Sequence, residues 1–158
     1  MKTPIHCKWN DFVARWQERE CYGAEKYLHW RSQVERFEAL AEHAGLLSVG
    51  GMKILDISSG MGLWAYCLTC QKHTVFTTEN YCRETEIYQD ALRTLKLPEA
   101  IPHAYPLKKF IPLPEYIGSF DIITSIACPP MSFWCEDECK RFITDAFSLC
   151  RIRISGSS

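Results

Sequence analysis

The chain has 158 residues, a formal net charge of -1, 47% hydrophobic residues and 23% charged ones. That is the length of one domain, with apolar material enough for a core, and it excludes a disordered chain. The charge gives no basic excess, so no nucleic-acid partner is expected; no apolar run reaches the roughly 18 residues of a membrane span; and the opening MKTPIHCKWND lacks the apolar stretch of a secretion signal.

Trp9, Phe12, Val13 and Trp16 recur at three- and four-residue steps and predict a short helix, with Asn10 or Asp11 near its start and Gly23 as its break. Tyr27, Trp30, Val34, Phe37, Leu40, Ala41 and Ala44 predict a second helix from about Ala24 to Leu47. Gly45 and the pair Gly50-Gly51 mark its end and the turn that follows. These two helices form a cap over residues 1–50, packed on a sheet edge or placed over a substrate pocket.

The central stretch is Lys53–Glu79, KILDISSGMGLWAYCLTCQKHTVFTTE. An apolar run ends in Asp56, a small-residue turn Ser58-Ser59-Gly60-Met61-Gly62 follows, then a helical pattern to Cys70, then a β-rich run Thr74–Thr78 closed by Glu79. Strand, glycine turn, helix, strand and acid in this order form the first unit of a nucleotide-binding α/β fold. Glycines at 60 and 62 let the backbone bend and let a ligand come close, and the helix after them points free N–H groups at it. Glu79, at the carboxyl end of its strand, suits the two hydroxyls of an adenosine ribose. Asp56 stands at the mouth of the same crevice.

Residues Arg83–Lys96 carry Ile87, Ala91, Leu92 and Leu95 on one helical face, ended by Leu97-Pro98. Ile101–Tyr105 reads as a short strand, and Pro106, Pro112 and Pro114 keep the next segment extended or looped. The β-branched run Phe120–Ala127 reads as a strand buried on both faces, stopped by Pro129-Pro130. A last helix from about Cys135 to Arg151 has Phe142, Ile143, Ala146, Phe147 and Cys150 as its apolar stripe. Strands alternating with helices predict a parallel sheet with helices on both faces and right-handed crossovers.

Two cofactor readings compete. Gly60-x-Gly62-x-x-Ala65 fits a dinucleotide turn, but an acid at the end of the first strand opposes a pyrophosphate. A ligand with a positive centre and an ammonium group welcomes that acid, so Asp56 tilts the choice to S-adenosyl-L-methionine (SAM). LDISSGMGLWAYCL resembles the first motif of class I SAM-dependent methyltransferases, and FDIITSIA resembles that family's fourth strand. Phe133-Trp134 and Phe142-Ile143-Thr144-Asp145-Ala146 resemble the helix after it. The resemblance covers about Gly51 to Cys150 and implies a Rossmann-like methyltransferase domain over 51–158. It implies that the turn Ser58, Gly60, Gly62 cradles the methionine part of the cofactor, that Glu79 binds the ribose and that Asp56 lies near the amino end. The reaction it implies is transfer of the methyl group to an N, O or C acceptor that the sequence does not identify. It implies no particular catalytic residue.

The chain departs from the family pattern at three places. Ser58 replaces the usual first glycine. No acid follows the third strand to bind the adenine amine, which leaves Tyr105 or a backbone group. The family's sheet has seven strands, whereas here Arg151-Ile152-Arg153-Ile154-Ser155 stands where its fifth begins. The expectation is a partial sheet of about four parallel strands in the order 3-2-1-4, truncated after the fourth strand and its helix. Its edge strand would then be open to self-association. The alternative to an active enzyme is a non-catalytic remnant that binds SAM weakly or needs a partner chain; an NAD-type oxidoreductase is the third reading.

Cys128-Pro129-Pro130-Met131 stands where amino-group methyltransferases carry an Asp/Asn/Ser-Pro-Pro-aromatic motif, and it reads either as a turn or as a degenerate form of that motif. Cys67 and Cys70 form a CxxC, and Cys135 and Cys139 are four apart. Both pairs fall in helical patterns, not in a knuckle, so core thiols are expected and no metal. Nine cysteines without a secretion signal point to free, mostly buried thiols in the cytoplasm. Lys108-Lys109 with Arg83 and Arg93 read as solvated surface, and His103 as a structural residue or a base near the cofactor.

Overall fold

The computed structural model describes residues 4–17, 30–79, 85–102, 113–126 and 134–151. Two helices, α1 (Pro4–Gln17) and α2 (Trp30–His43), precede the sheet. Then come β1 (Lys53–Asp56), α3 (Leu63–Cys70), β2 (Thr74–Glu79), α4 (Glu86–Leu95) and β3 (Ile101–Pro102). A 3-10 turn (Pro114–Tyr116), β4 (Ile122–Thr124) and α5 (Glu136–Leu149) complete the described chain.

β1 lies at the centre. It runs parallel to β2, with Ile54 beside Val75, and parallel to β4, with Ile54 beside Ile122. The two residues of β3 extend the sheet beyond β2, pairing with Thr78 and Glu79, which gives the order β3-β2-β1-β4. Successive side chains of a strand point to opposite faces, and here both faces are covered. Ile54, Val75 and Ile122 belong to one apolar cluster with Trp9, Phe12, Trp64, Leu68, Tyr88 and Leu92 from the helices. Leu55, Phe76 and Ile123 belong to a second with Phe120, Phe142 and Leu149. The β-branched, unalternating strands follow from this two-sided burial.

α1 packs on α4. Trp9, Phe12 and Trp16 are buried, and each such side chain contributes about 1.5–3 kcal/mol. The polar edge of that contact is Asp90, which accepts from the Trp16 indole at 2.7 Å and from Arg15 Nη2 at 3.0 Å. Burial raises the Asp90 carboxyl, but the bonds from Trp16 and Arg15 and the charges of Arg15 and Arg93 outweigh it and hold it below its ordinary value. α2 ends on the buried ring of His73, whose Nε2 lies 2.8 Å from the Leu46 carbonyl while Nδ1 accepts from the Met52 N–H at 3.3 Å. Those two bonds assign the neutral tautomer with its proton on Nε2.

Three helices stop in the same way. Gly45, Lys72 and Lys96 each adopt a left-handed φ, and the next residue's N–H reaches back five positions: Leu46 to Ala41, His73 to Leu68 and Leu97 to Leu92. This is the Schellman arrangement, which satisfies carbonyls that the helix leaves open.

Several expected elements are shorter or packed differently. α3 begins at Leu63, after the turn, and β4 is three half-buried residues, not a long buried strand. On α5, Phe142 and Leu149 are buried, but Ile143 and Phe147 are 51% and 70% exposed. A helix covering one sheet face has room for only part of an apolar stripe. Of five cysteines described as free, Cys67 alone is buried; Cys70 and Cys135 are exposed, because they sit at helix ends. Burial pushes the Cys67 thiol up to about 12.

After α5 the chain returns beside β4, on the side away from β1. Phe120 and Cys150 form a parallel bridge, with Phe120 N–H donating to Leu149 at 3.0 Å and Arg151 N–H donating to Phe120 at 2.7 Å. The first part of the expected open edge is therefore paired. Tyr27, Arg83, His103, Tyr105, Lys108, Lys109, the Cys128–Met131 segment, Phe133 and residues 152–158 lie outside the described residues. Among the described residues, no helix is long and apolar enough to cross a membrane.

Candidate functional site

β1, β2 and β4 are parallel, so their carboxyl ends lie on one side of the sheet. The chain leaves β1 through α3 to reach β2 on one flank, while β4 occupies the other. Such a reversal of strand order opens a crevice between the strands at their carboxyl ends. Asp56 is the last residue of β1, and its register partners are Thr77 on β2 and Thr124 on β4.

The turn after β1 hangs from the end of β2 by three consecutive amides. Ser58 N–H donates to the Thr78 hydroxyl at 3.2 Å, Ser59 N–H to the Thr78 carbonyl at 3.0 Å and Gly60 N–H to Glu79 Oε2 at 2.8 Å. Glu79 is thus part of the turn's own scaffold. Ser58, Gly60 and Gly62 all have positive φ, at 57°, 55° and 79°. For Ser58 this left-handed conformation costs about 1–2 kcal/mol, which the two bonds to Thr78 help to offset.

Gly62 also meets a packing demand. A Cβ there would lie 2.7 Å from Leu97 Cδ1 and within 4 Å of Leu92 and Leu95. Its missing side chain makes room for α4 and for Leu97, two residues beyond that helix. Gly62 also begins α3, and among the described residues no side chain caps that helix. The amide groups of its first turn carry the partial positive charge of a helix start. The Ser59 hydroxyl is buried and has no partner among the described residues.

Two acids flank this turn. Asp56 is 2% and Glu79 7% exposed. Burial raises the Asp56 carboxyl most, the hydrogen bond from Thr124 lowers it and the Glu79 charge raises it again, leaving it near 7. The Thr124 hydroxyl donates to Asp56 Oδ1 at 2.9 Å and accepts from the Trp64 indole at 3.1 Å. The site can therefore offer negative charge, hydrogen-bond acceptors and a helix start within one crevice.

All five residues expected from the sequence, Asp56, Ser58, Gly60, Gly62 and Glu79, meet at this turn. Three that sequence reasoning missed belong beside them: Thr78, Thr124 and Trp64. For Thr78 and Thr124 the signal was a hydroxyl near the carboxyl end of a strand, TVFTTE in one case and FDIITS in the other, whereas Trp64 gave none. Cys67 and Cys70 do not join this site: they belong to α3, the first buried and the second exposed.

The sequence matches no family model and no curated protein. Among solved structures, the chain is similar to phosphoethanolamine N-methyltransferase 1 of Haemonchus contortus, determined with phosphoethanolamine and S-adenosylhomocysteine. The TM-score is 0.54 at 13% identity; the match covers 96% of this chain and 31% of that one. The likeness is one of α/β fold, and the chain spans about a third of that neighbour's length.

Proposed function

We propose that the crevice at the end of β1 binds SAM and that the chain is the cofactor-binding part of a SAM-dependent methyltransferase. The observation that carries this reading is the pair of buried carboxyls, Asp56 and Glu79, on either side of one glycine turn. Two acids this close repel a pyrophosphate and attract a cation. SAM has a sulfonium and an ammonium group, and its ribose has two hydroxyls for a carboxylate to accept. The residues present fit it. Glu79 already accepts from Gly60 and, as a carboxylate, has further lone pairs for the ribose. Asp56 serves as counter-charge at the amino end, and the turn Ser58, Gly60, Gly62 with the start of α3 holds the methionine part. The unpartnered Ser59 hydroxyl is available in the same turn.

The cofactor supplies a methyl group activated on sulfur; this chain's residues bind and align it. In this reading, residues 51–158 form the cofactor domain and residues 1–50 a helical cap on it. The acceptor is an N, O or C atom whose class stays unassigned. The similarity in fold to a solved protein that holds S-adenosylhomocysteine supports the reading.

Calorimetric titration tests it. SAM should bind and NAD should not; binding of NAD alone would overturn the proposal. Glu79→Gln keeps an oxygen for the Gly60 N–H and removes the charge. It should weaken SAM binding about tenfold or more, as loss of a charge-assisted hydrogen bond of about 1.5–3 kcal/mol does.

A further inference from the structure

Two residues at the crevice, Thr124 and Trp64, have no part in the proposed cofactor contacts. Asp56 and Thr124 are register partners across the β1–β4 pair, at the point where the strand order reverses. The Trp64 indole donates to Thr124 Oγ1 at 3.1 Å, and the Thr124 hydroxyl donates to Asp56 Oδ1 at 2.9 Å. An indole N–H can only donate. It therefore occupies a lone pair of the hydroxyl and leaves that hydroxyl's single proton for Asp56. Neither partner is free to turn away. The Thr124 carbonyl accepts from the Ile57 N–H at 2.7 Å, and the Trp64 ring packs on Phe37 with centroids 5.7 Å apart.

We infer that Thr124 and Trp64 are positioning residues that hold Asp56 as the counter-charge to the cofactor's cationic end, so that cofactor capture depends on pH. The inference rests on the reading proposed above and extends it to the regulation of the same site. Among the described residues, the groups set against Asp56 come from three elements. β2 presents the Glu79 charge, which opposes ionisation; β4 presents Thr124, which favours it; α3 presents the neutral Trp64. With the Asp56 carboxyl near 7, it is neutral in mild acid and ionised in mild alkali. A cationic ligand binds the ionised form better, so affinity rises with pH through this window and binding at its lower end releases a proton.

The test is SAM binding by calorimetry between about pH 6 and about pH 9 for the wild type, Thr124→Val, Thr124→Ser and Trp64→Phe. Titration of the ligand's own amine is common to all four proteins and cancels in the comparison. Thr124→Val removes the bond that favours ionisation, so the midpoint should move up by about one pH unit, and affinity near pH 7 should fall about fivefold. Thr124→Ser keeps the hydroxyl and should restore the wild-type profile; Trp64→Phe should shift it in the same direction as valine, by less. As a measurement that needs no variant, wild-type binding near pH 7 in two buffers of different ionisation enthalpy should report release of about half a proton. A wild type that binds SAM with no proton release, or a valine variant with an unmoved midpoint, overturns the inference and leaves the cofactor reading standing. A wild type that binds no SAM anywhere in the range overturns both.

Discussion

Replacing Asp56 with asparagine should stabilise the protein, and increasingly so as the pH rises. The carboxyl is fully buried and its folded value is near 7, against an ordinary value of 3.8. A gap of about three pH units, at about 1.4 kcal/mol each, corresponds to about 4 kcal/mol. The sign follows from proton binding. Between the two values the folded state holds the proton more tightly than the unfolded chain does. The associated stability is complete below 3.8 and is lost as the pH climbs to about 7. Asparagine does not titrate and still offers an oxygen to the Thr124 hydroxyl, though its buried amide costs about 1–3 kcal/mol if unpaired. The stability difference between variant and wild type should therefore move in the variant's favour by about 2–3 kcal/mol between about pH 5 and about pH 8. In a domain of this size that is a relative shift in Tm of roughly 5–10 °C. Urea denaturation followed by circular dichroism at the two pH values measures it. A difference that stays constant to within about 0.5 kcal/mol would refute the reasoning, because a mere change of shape would not depend on pH. In the proposed function the same substitution weakens SAM binding, an exchange of activity for stability common at functional sites.

Gly62→Ala should destabilise by about 2–4 kcal/mol, from the left-handed φ and the approach to Leu97 together; thermal unfolding near wild type would mean that α4 yields easily. Asp90→Ala should cost about 1–3 kcal/mol by removing the acceptor that joins Trp16 and Arg15 to α4. Because the Asp90 carboxyl sits below its ordinary value, that stability is present at neutral pH and is lost as the pH falls, so the variant and wild type should converge in acid. Phe147→Ser should change stability by no more than about 0.5 kcal/mol, since the ring is 70% exposed; a loss of several kcal/mol would show that a partner or further chain covers it.

Much of the architecture was legible because it rests on short-range patterns. Ile54-Leu55 before a small-residue turn, the apolar spacing of α4 and the Trp9-Phe12-Trp16 face each encode one element without help from the rest of the chain. Helix ends were less legible. Gly45 announces a stop, but Lys72 and Lys96 do the same work with no glycine signal, since the hydrogen bonds of the last turn decide their conformation. The expected stripe on α5 also failed at Ile143 and Phe147. Periodicity says which residues share a helix face but not how wide a face the sheet will cover.

By itself, the sequence determined the alternation of strands and helices, the turn and the two acids beside it. These depend on residue type and on spacing along the chain. Only the tertiary structure decided what those residues do to one another. It brought Thr124, 68 residues away, to Asp56, turned Glu79 back onto the Gly60 amide and filled the space at Gly62 with Leu97. The Asp56 carboxyl is the clearest case: burial and an acid on β2 raise its pKa to about 7 against the opposing bond from a hydroxyl on β4. None of these is a neighbour in sequence, and electrostatic energy depends on distance and desolvation in the folded chain.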